Sequence, residues 1–202
     1  MAEPLTLVLA SESQSRKAML DAAGVAYEPF PAAVDEAAIK QALAAEGQPP
    51  CNIADALAEA KALKVSSRIP GALLLGSDQL LALDDGTMLD KPESPDDAKA
   101  HLRMMSGKIH RLHAAAVIAE NGQPVWRHVA IAKMFVRPLS DAFIDAYVDA
   151  EWDRIRWSVG CYQIEGLGSQ LFDRIEGDNF TIMGMPLLPV LGYLRIRGLL
   201  TS

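Results

Sequence analysis

Along the chain, short apolar runs empty into polar turns, and amphipathic stretches follow the turns. Leu5–Ala10 is a compact β-prone run and reads as a buried strand. Ser11–Ser15 is a polar turn. From Arg16 the pattern becomes helical, with Met19, Leu20 and Ala23 on one face and Gly24 as a stop. Tyr27–Pro31 reads as extended, and Gly47-Gln48-Pro49-Pro50 as a loop. Asn52 is expected to cap an Ala-rich helix running to about Val65. Ala72–Gly76 is a second buried strand, expected to end at Ser77-Asp78-Gln79.

Asp85-Gly86 signals a turn. Ser94-Pro95-Asp96-Asp97 starts a helix, with a capping serine, proline at its first position and acids in its first turn. That helix should end near Ser106-Gly107. His110–Ala119 and Val125–Val136 flank Asn121-Gly122 and predict a hairpin. Ser140 opens a helix from Asp141 to about Ala150. Gly160–Gly168 reads as extended. Pro186 to about Arg197 closes the chain as a helix that tolerates Pro189 in its first turn. Alternating strands and helices followed by a hairpin predict an α/β fold with a mixed twisted sheet and flanking helices. No repeat or linker interrupts residues 1–202, which read as one domain.

Composition narrows the function. With 202 residues, half of them hydrophobic, there is enough material for a sizeable core. A net charge of −7 argues against wrapping a nucleic acid polymer, which needs a basic surface, but leaves small anionic ligands open. No apolar run is long enough to span a membrane. The start, MAEPLTLVLASES, shows no basic n-region, and its apolar run, Leu5 to Ala10, is short for a signal peptide. Cys51 and Cys161 fit no zinc spacing and read as reduced thiols of a cytoplasmic protein.

Three segments carry candidate chemistry. In Leu9-Ala10-Ser11-Glu12-Ser13-Gln14-Ser15-Arg16-Lys17 a strand opens into a serine-rich turn and a helix start. Free N–H groups, hydroxyls and the planar fork of Arg16 together suit phosphate, although a plain helix cap uses the same residues. Asp78, in Gly76-Ser77-Asp78-Gln79, offers a carboxylate for a metal or a water proton. Val34-Asp35-Glu36 offers oxygen ligands of the kind that suit Mg²⁺ or Mn²⁺, or simply a solvated helix start. Lys61 and Lys91 are single cations of the sort usually found solvated. His110 and His113, three apart on a strand, read as structural, and packing is the expected use of Trp126, Trp152 and Trp157.

Taken in order, these segments resemble the Maf family of nucleoside triphosphate pyrophosphatases. The resemblance lies in Leu9-Ala10-Ser11-Glu12-Ser13-Gln14-Ser15-Arg16-Lys17, Val34-Asp35-Glu36, Lys61-Ala62, Gly76-Ser77-Asp78 and Lys91-Pro92. It continues through Ser106-Gly107 with His110, Gly160-Cys161-Tyr162-Gln163-Ile164-Glu165-Gly166 and Gly184-Met185-Pro186. It spans roughly residues 5 to 195. The chain departs from the family pattern at Gln14, where proline is usual, at Ser15, where a large or basic residue is usual, and at Asn179-Phe180-Thr181-Ile182. The resemblance implies a Maf/inosine triphosphatase-like fold, two lobes around a central cleft, and hydrolysis between the α- and β-phosphates. It implies Asp78 as general base or metal ligand, Glu36 as a further ligand of a divalent cation, and Ser11, Arg16, Lys61 and Lys91 around the phosphates. The partner implied is a nucleoside triphosphate, and a homodimer is allowed.

Within the family, one subtype prefers uracil and thymine nucleotides and tends to carry Thr after the catalytic Asp and Gln in the late glycine-rich segment. The subtype associated with 7-methyl-GTP tends to carry Gln and Glu, which here are Gln79 and Glu165. Ser15 stands where that subtype usually has tryptophan. The expectation is therefore a modified purine triphosphate, with specificity carried by Ser15, Gln79 and Glu165. The alternatives are a UTP/dTTP pyrophosphatase and a non-catalytic nucleotide-binding regulator of cell division.

Overall fold

A computed structural model describes residues 5–201. Its chain order is β1 (Leu7–Leu9), α1 (Gln14–Ala22), β2 (Glu28–Pro29), α2 (Glu36–Ala45), α3 (Pro50–Ser66) and β3 (Leu73–Leu83). There follow β4 (Met88–Leu89), α4 (Pro95–Met105), β5 (Ile109–Glu120), β6 (Gln123–Val136), α5 (Asp141–Ile155), β7 (Phe172–Glu176), α6 (Asn179–Ile182) and α7 (Leu187–Ile196). The strands form a mixed sheet in the order β2-β1-β3-β5-β6-β7, with β4 on β3. β1 is parallel to β2 and β3, whereas β3–β4 and β6–β7 are antiparallel. The mixed α/β architecture expected from the sequence is the one observed.

Two compact units divide the chain, and β3, β5 and β6 contribute residues to both. The first comprises residues up to Gln79, Ala114–Ala130 and the segment from Gly184. Its apolar core holds Leu7–Leu9, Leu20, Ile53, Leu57, Leu73–Leu75 and Leu194, all essentially inaccessible. The second comprises Leu80–His113 and Ile131–Met183. Its core joins Leu81, Leu102, Met105 and Leu112 to Met134, Ile144, Val148 and Ile155.

Local signals explain most elements. Ser13, Ser94 and Ser140 cap α1, α4 and α5 through their side chains. The Asn121-Gly122 hairpin turn has both residues left-handed, at φ 49 and 78. It is tied down within the first unit, where Asn121 accepts from the Gly71 N–H and Ser66 from the Gly122 N–H.

Several expectations are corrected. β3 does not stop at Ser77-Asp78-Gln79 but runs to Leu83, because Leu80–Leu83 keeps the segment buried. α3 starts at Pro50, with proline in its first turn, so Asn52 lies inside the helix and donates to the Gln48 side chain instead of capping. α5 extends to Ile155, past Ala150, because Glu151 and Ile155 continue its buried face. Gly160–Gly168 is a turn leading into a 3₁₀ segment, Leu167–Leu171, and not an extended stretch. Trp126 does pack, stacking on Tyr193 at 5.3 Å, and Trp152 packs on the second core. Trp157 does not: it is 66% exposed and carries the Arg156 guanidinium over its ring. Elements β4, β7 and α6 were not foreseen. The reading of the leader at Met1–Pro4 falls outside the described residues.

Candidate active site

A missing side chain sets the site in the first unit. Gly76 of β3 faces α3 so closely that a Cβ there would lie 2.1 Å from the Ala58 carbonyl oxygen and 2.7 Å from the Ala62 nitrogen. Only glycine lets strand and helix meet at this depth. The contact brings Lys61, one residue before Ala62, over Asp78, two residues after Gly76. Lys61 Nζ lies 2.5 Å from Asp78 Oδ1 and 3.0 Å from Glu36 Oε1. The Lys61 and Asp78 side chains are buried, while Glu36 is half exposed at the first turn of α2. Asp35 orients that turn by accepting from the Ala38 N–H.

The turn after β1 supplies a second cation. Ser11 is buried, and its hydroxyl accepts from the Ser13 N–H at 3.2 Å. Arg16, in the first turn of α1, is also buried. Its Nε donates to the Gly184 carbonyl at 2.9 Å and its Nη1 to Ser11 Oγ at 3.3 Å. Burial lowers the Arg16 pKa, and the carboxylates of Asp78 and Glu36 work against that shift. An arginine remains charged under any such shift, so two cations and two carboxylates occupy one small region. Gln79 and Ser15 are half-buried here, and Gln79 Oε1 would lie 3.7 Å from a Cβ on Gly184.

Lys91 and Glu165 belong to the second unit. Lys91 is exposed and lines a cavity of about 430 Å³ with Asp90, Glu93, Ser94, Asp97 and His101. Glu165 is exposed on the turn before the 3₁₀ segment. That turn is anchored by Tyr162, whose hydroxyl lies 2.8 Å from His110 Nε2, and by Cys161, whose carbonyl accepts from the Tyr147 hydroxyl at 3.2 Å and whose φ of 59 is left-handed. His110 and His113 are both buried, and burial pushes the His110 pKa down to about 4, so its ring is neutral at pH 7.

The structure thus gathers Ser11, Ser15, Arg16, Glu36, Lys61, Asp78 and Gln79 in one unit and leaves Lys91 and Glu165 in the other. Two participants escaped the sequence reading: the Ser77 hydroxyl and the Gly184 carbonyl, which meet at 3.2 Å. A strand serine next to Asp78 was the available signal, but nothing local tells which carbonyl a buried hydroxyl will find. The donor set around Lys61 suits a hard divalent ion. Two carboxylates already converge on one cation, and Mg²⁺ typically takes one or two carboxylates and fills its other positions with water and phosphate oxygens. Among the described residues no three His, Cys, Asp or Glu side chains converge, so an all-protein metal cage is not present there.

Residues 6–196 match the family described as "Maf-like protein". A protein of Sphingopyxis alaskensis named nucleoside triphosphate pyrophosphatase is 60% identical over 195 residues, covering 96% of this chain and 98% of that one. A Caulobacter vibrioides protein of the same name is 50% identical over 195 residues, covering 96% and 97%. A Rhizobium meliloti protein named 7-methyl-GTP pyrophosphatase is 50% identical over 193 residues, covering 95% and 96%.

Proposed function

The chain belongs to the Maf family, and on that premise we propose that it is a nucleoside triphosphate pyrophosphatase, releasing a nucleoside monophosphate and pyrophosphate. The observation that carries the reading is the buried Lys61–Asp78 pair with Glu36 beside it. Burying two charges is costly unless they are closely paired, and a site that must neutralise a triphosphate has a use for them.

In this reading Asp78 takes the proton of the attacking water through the oxygen that Lys61 does not hold. Lys61 aims the carboxylate, because its ammonium sits against Oδ1. Arg16, fixed at Nε and Nη1, presents its remaining N–H groups to phosphate oxygens, and Ser11 orients it. Lys91, in the second unit, is assigned to phosphate by the family resemblance alone. A divalent ion held by Glu36, with Asp78 as a second ligand should it serve as ligand and not as base, would polarise the phosphate and lower the pKa of a bound water. The free thiols Cys51 and Cys161 suit a reducing, cytoplasmic setting. No helix among the described residues is long and apolar enough to cross a membrane.

The base assignment is the finer step. Gln79 and Glu165, together with the name of the Rhizobium meliloti relative, support a 7-methylated or otherwise modified purine triphosphate as substrate. The deciding experiment is a panel of ordinary and modified triphosphates with purified protein, scoring pyrophosphate with Mg²⁺, with Mn²⁺ and with chelator. Pyrophosphate release that needs the ion supports the reading. Binding without release from any member would leave a nucleotide-binding regulator in its place.

A further inference from the structure

Ser77 is completely buried in the middle of β3, immediately before Asp78. Its hydroxyl has one proton and two carbonyls within reach, Ala115 of β5 at 2.8 Å and Gly184 at 3.2 Å. The Gly184 carbonyl is also the acceptor for Arg16 Nε. The Gly184 carbonyl is thus reached by a helix arginine and, 61 residues later in sequence, by a strand serine that shares its one proton between Gly184 and the nearer Ala115 carbonyl. Gly184 can present it because its φ of +108 is open to glycine and strained for other residues. A side chain there would also approach the Arg16 guanidinium, at 3.6 Å from Nη2.

The guanidinium is planar, so two anchors fix its plane. Those anchors are Gly184 O at Nε and Ser11 Oγ at Nη1. Ser11 sits at the turn after β1, whereas Gly184 lies in the turn just before α7. The Ser77 hydroxyl gives that loop a link to β3 beside the Arg16 bond to α1.

We propose that Ser77 is a positioning residue: through the Gly184 carbonyl it sets the plane in which Arg16 meets the substrate phosphates. This rests on the phosphate role given to Arg16 above. Loss of the hydroxyl removes the tether between β3 and the loop. Gly184 O then moves with the loop, and Arg16 Nε follows it.

The test uses the full-length protein and the variants Ser77→Ala, Ser77→Thr and Arg16→Lys. The Nε–H resonance of Arg16, identified by its absence in Arg16→Lys, is followed by NMR. In Ser77→Ala it should shift and exchange with water faster, and in Ser77→Thr it should return toward wild type. With a triphosphate that the wild type hydrolyses, Ser77→Ala should lower kcat/KM by about threefold to tenfold, the size of one neutral hydrogen bond, and Ser77→Thr should recover most of it. Adding Ser77→Ala to Arg16→Lys should cost no more than about twofold further, since both act at one group. An unmoved Nε–H resonance in folded Ser77→Ala overturns the proposal, and so do fully multiplicative losses in the double variant. If the wild type releases no pyrophosphate, the functional reading fails and the resonance alone decides the positioning role. If Ser77→Ala does not fold, Ser77→Cys is read in the same way, because it keeps the shape and weakens the donor.

Discussion

Lys61 and Asp78 form a buried ion pair, Nζ to Oδ1 at 2.5 Å, with side chains only 8% and 9% exposed. The two partners should fail differently. Lys61→Met strands a buried carboxylate and is expected to lower stability by about 3–5 kcal/mol, the usual cost of breaking such a pair. Asp78→Asn leaves Lys61 its second partner, Glu36 at 3.0 Å, and should stay folded. Its pyrophosphate release should fall by more than about a hundredfold, as on removal of a general base. Urea unfolding beside an activity assay reads both, and near-normal turnover by folded Asp78→Asn would remove the residue from its assigned role.

Gly76 is the hidden determinant of that pair. An added methyl in Gly76→Ala would meet backbone atoms of Ala58 and Ala62, which no rotamer change can relieve. The helix must back away, at a cost of roughly 1–3 kcal/mol for overpacking. Because Lys61 rides on that helix, activity should fall as well. A protein that keeps its melting temperature and its turnover would show that the strand–helix contact does not position Lys61.

Much of this was legible in the sequence, and the failures share a cause. The serines that open α4 and α5, the Asn121-Gly122 turn and the helix start at Ser94-Pro95 are local signals that appear where expected, whereas α1 starts at Gln14, capped by Ser13, two residues before the expected Arg16. The end of β3 was misplaced because a polar Ser77-Asp78-Gln79 triplet imitates a strand end. In the fold Ser77 finds two carbonyls and Asp78 finds Lys61, so burial continues through it. The short elements β4, β7 and α6 have two to five residues each, too few for a period to show. For the site, residue types pointed to candidate groups, but the depth of Arg16 and its bond to Gly184 depend on a carbonyl 168 positions away.

That depth changes what Arg16 and Lys91 should do on mutation. Arg16→Ala removes a charge-assisted bond to a buried carbonyl, and is expected to cost about 1.5–3 kcal/mol of stability besides weakening turnover. Lys91 is exposed, so Lys91→Ala should melt like wild type while weakening the use of triphosphate. Melting curves and steady-state kinetics on the two variants make the comparison. Equal melting losses, or unchanged kinetics in Lys91→Ala, would contradict it.

His110 supplies a pH dependence unrelated to catalysis. Its pKa is about 4 in the fold against 6.5 unperturbed, because burial disfavours the charged ring. Between those values the unfolded chain binds more protons, so stability rises with pH there. The neutral ring is accommodated fully above about pH 6.5, and stability is lost as pH falls from 6.5 toward 4, by roughly 3 kcal/mol in all. Denaturant midpoints at several pH values should fall less steeply in His110→Phe than in wild type. Parallel curves would mean that another group carries the acid sensitivity.

Glu165 offers the sharpest test of substrate choice. It is exposed on a turn whose backbone is held by the Tyr162–His110 bond and by close packing at Gly168, where a Cβ would lie 2.5 Å from the Gln163 carbonyl oxygen. A side chain on so constrained a turn can be exchanged without reshaping its support. A carboxylate accepts hydrogen bonds only, which suits the donor edge of guanine and the positive charge of a 7-methylated ring. Facing the acceptor oxygens of uracil it would leave lone pairs unmatched, at roughly 1–3 kcal/mol, or about fivefold to 150-fold in relative kcat/KM. The amide of Glu165→Gln donates as well as accepts and removes that mismatch. Wild type is therefore expected to prefer a methylated purine triphosphate over UTP and dTTP, and Glu165→Gln to narrow or reverse the ratio with little change in melting temperature. Competition assays with paired substrates give the ratio directly. Should UTP or dTTP be the best substrate of the wild type, or should the ranking survive Glu165→Gln, base selection lies elsewhere, with Gln79 and Ser15 the next positions to exchange.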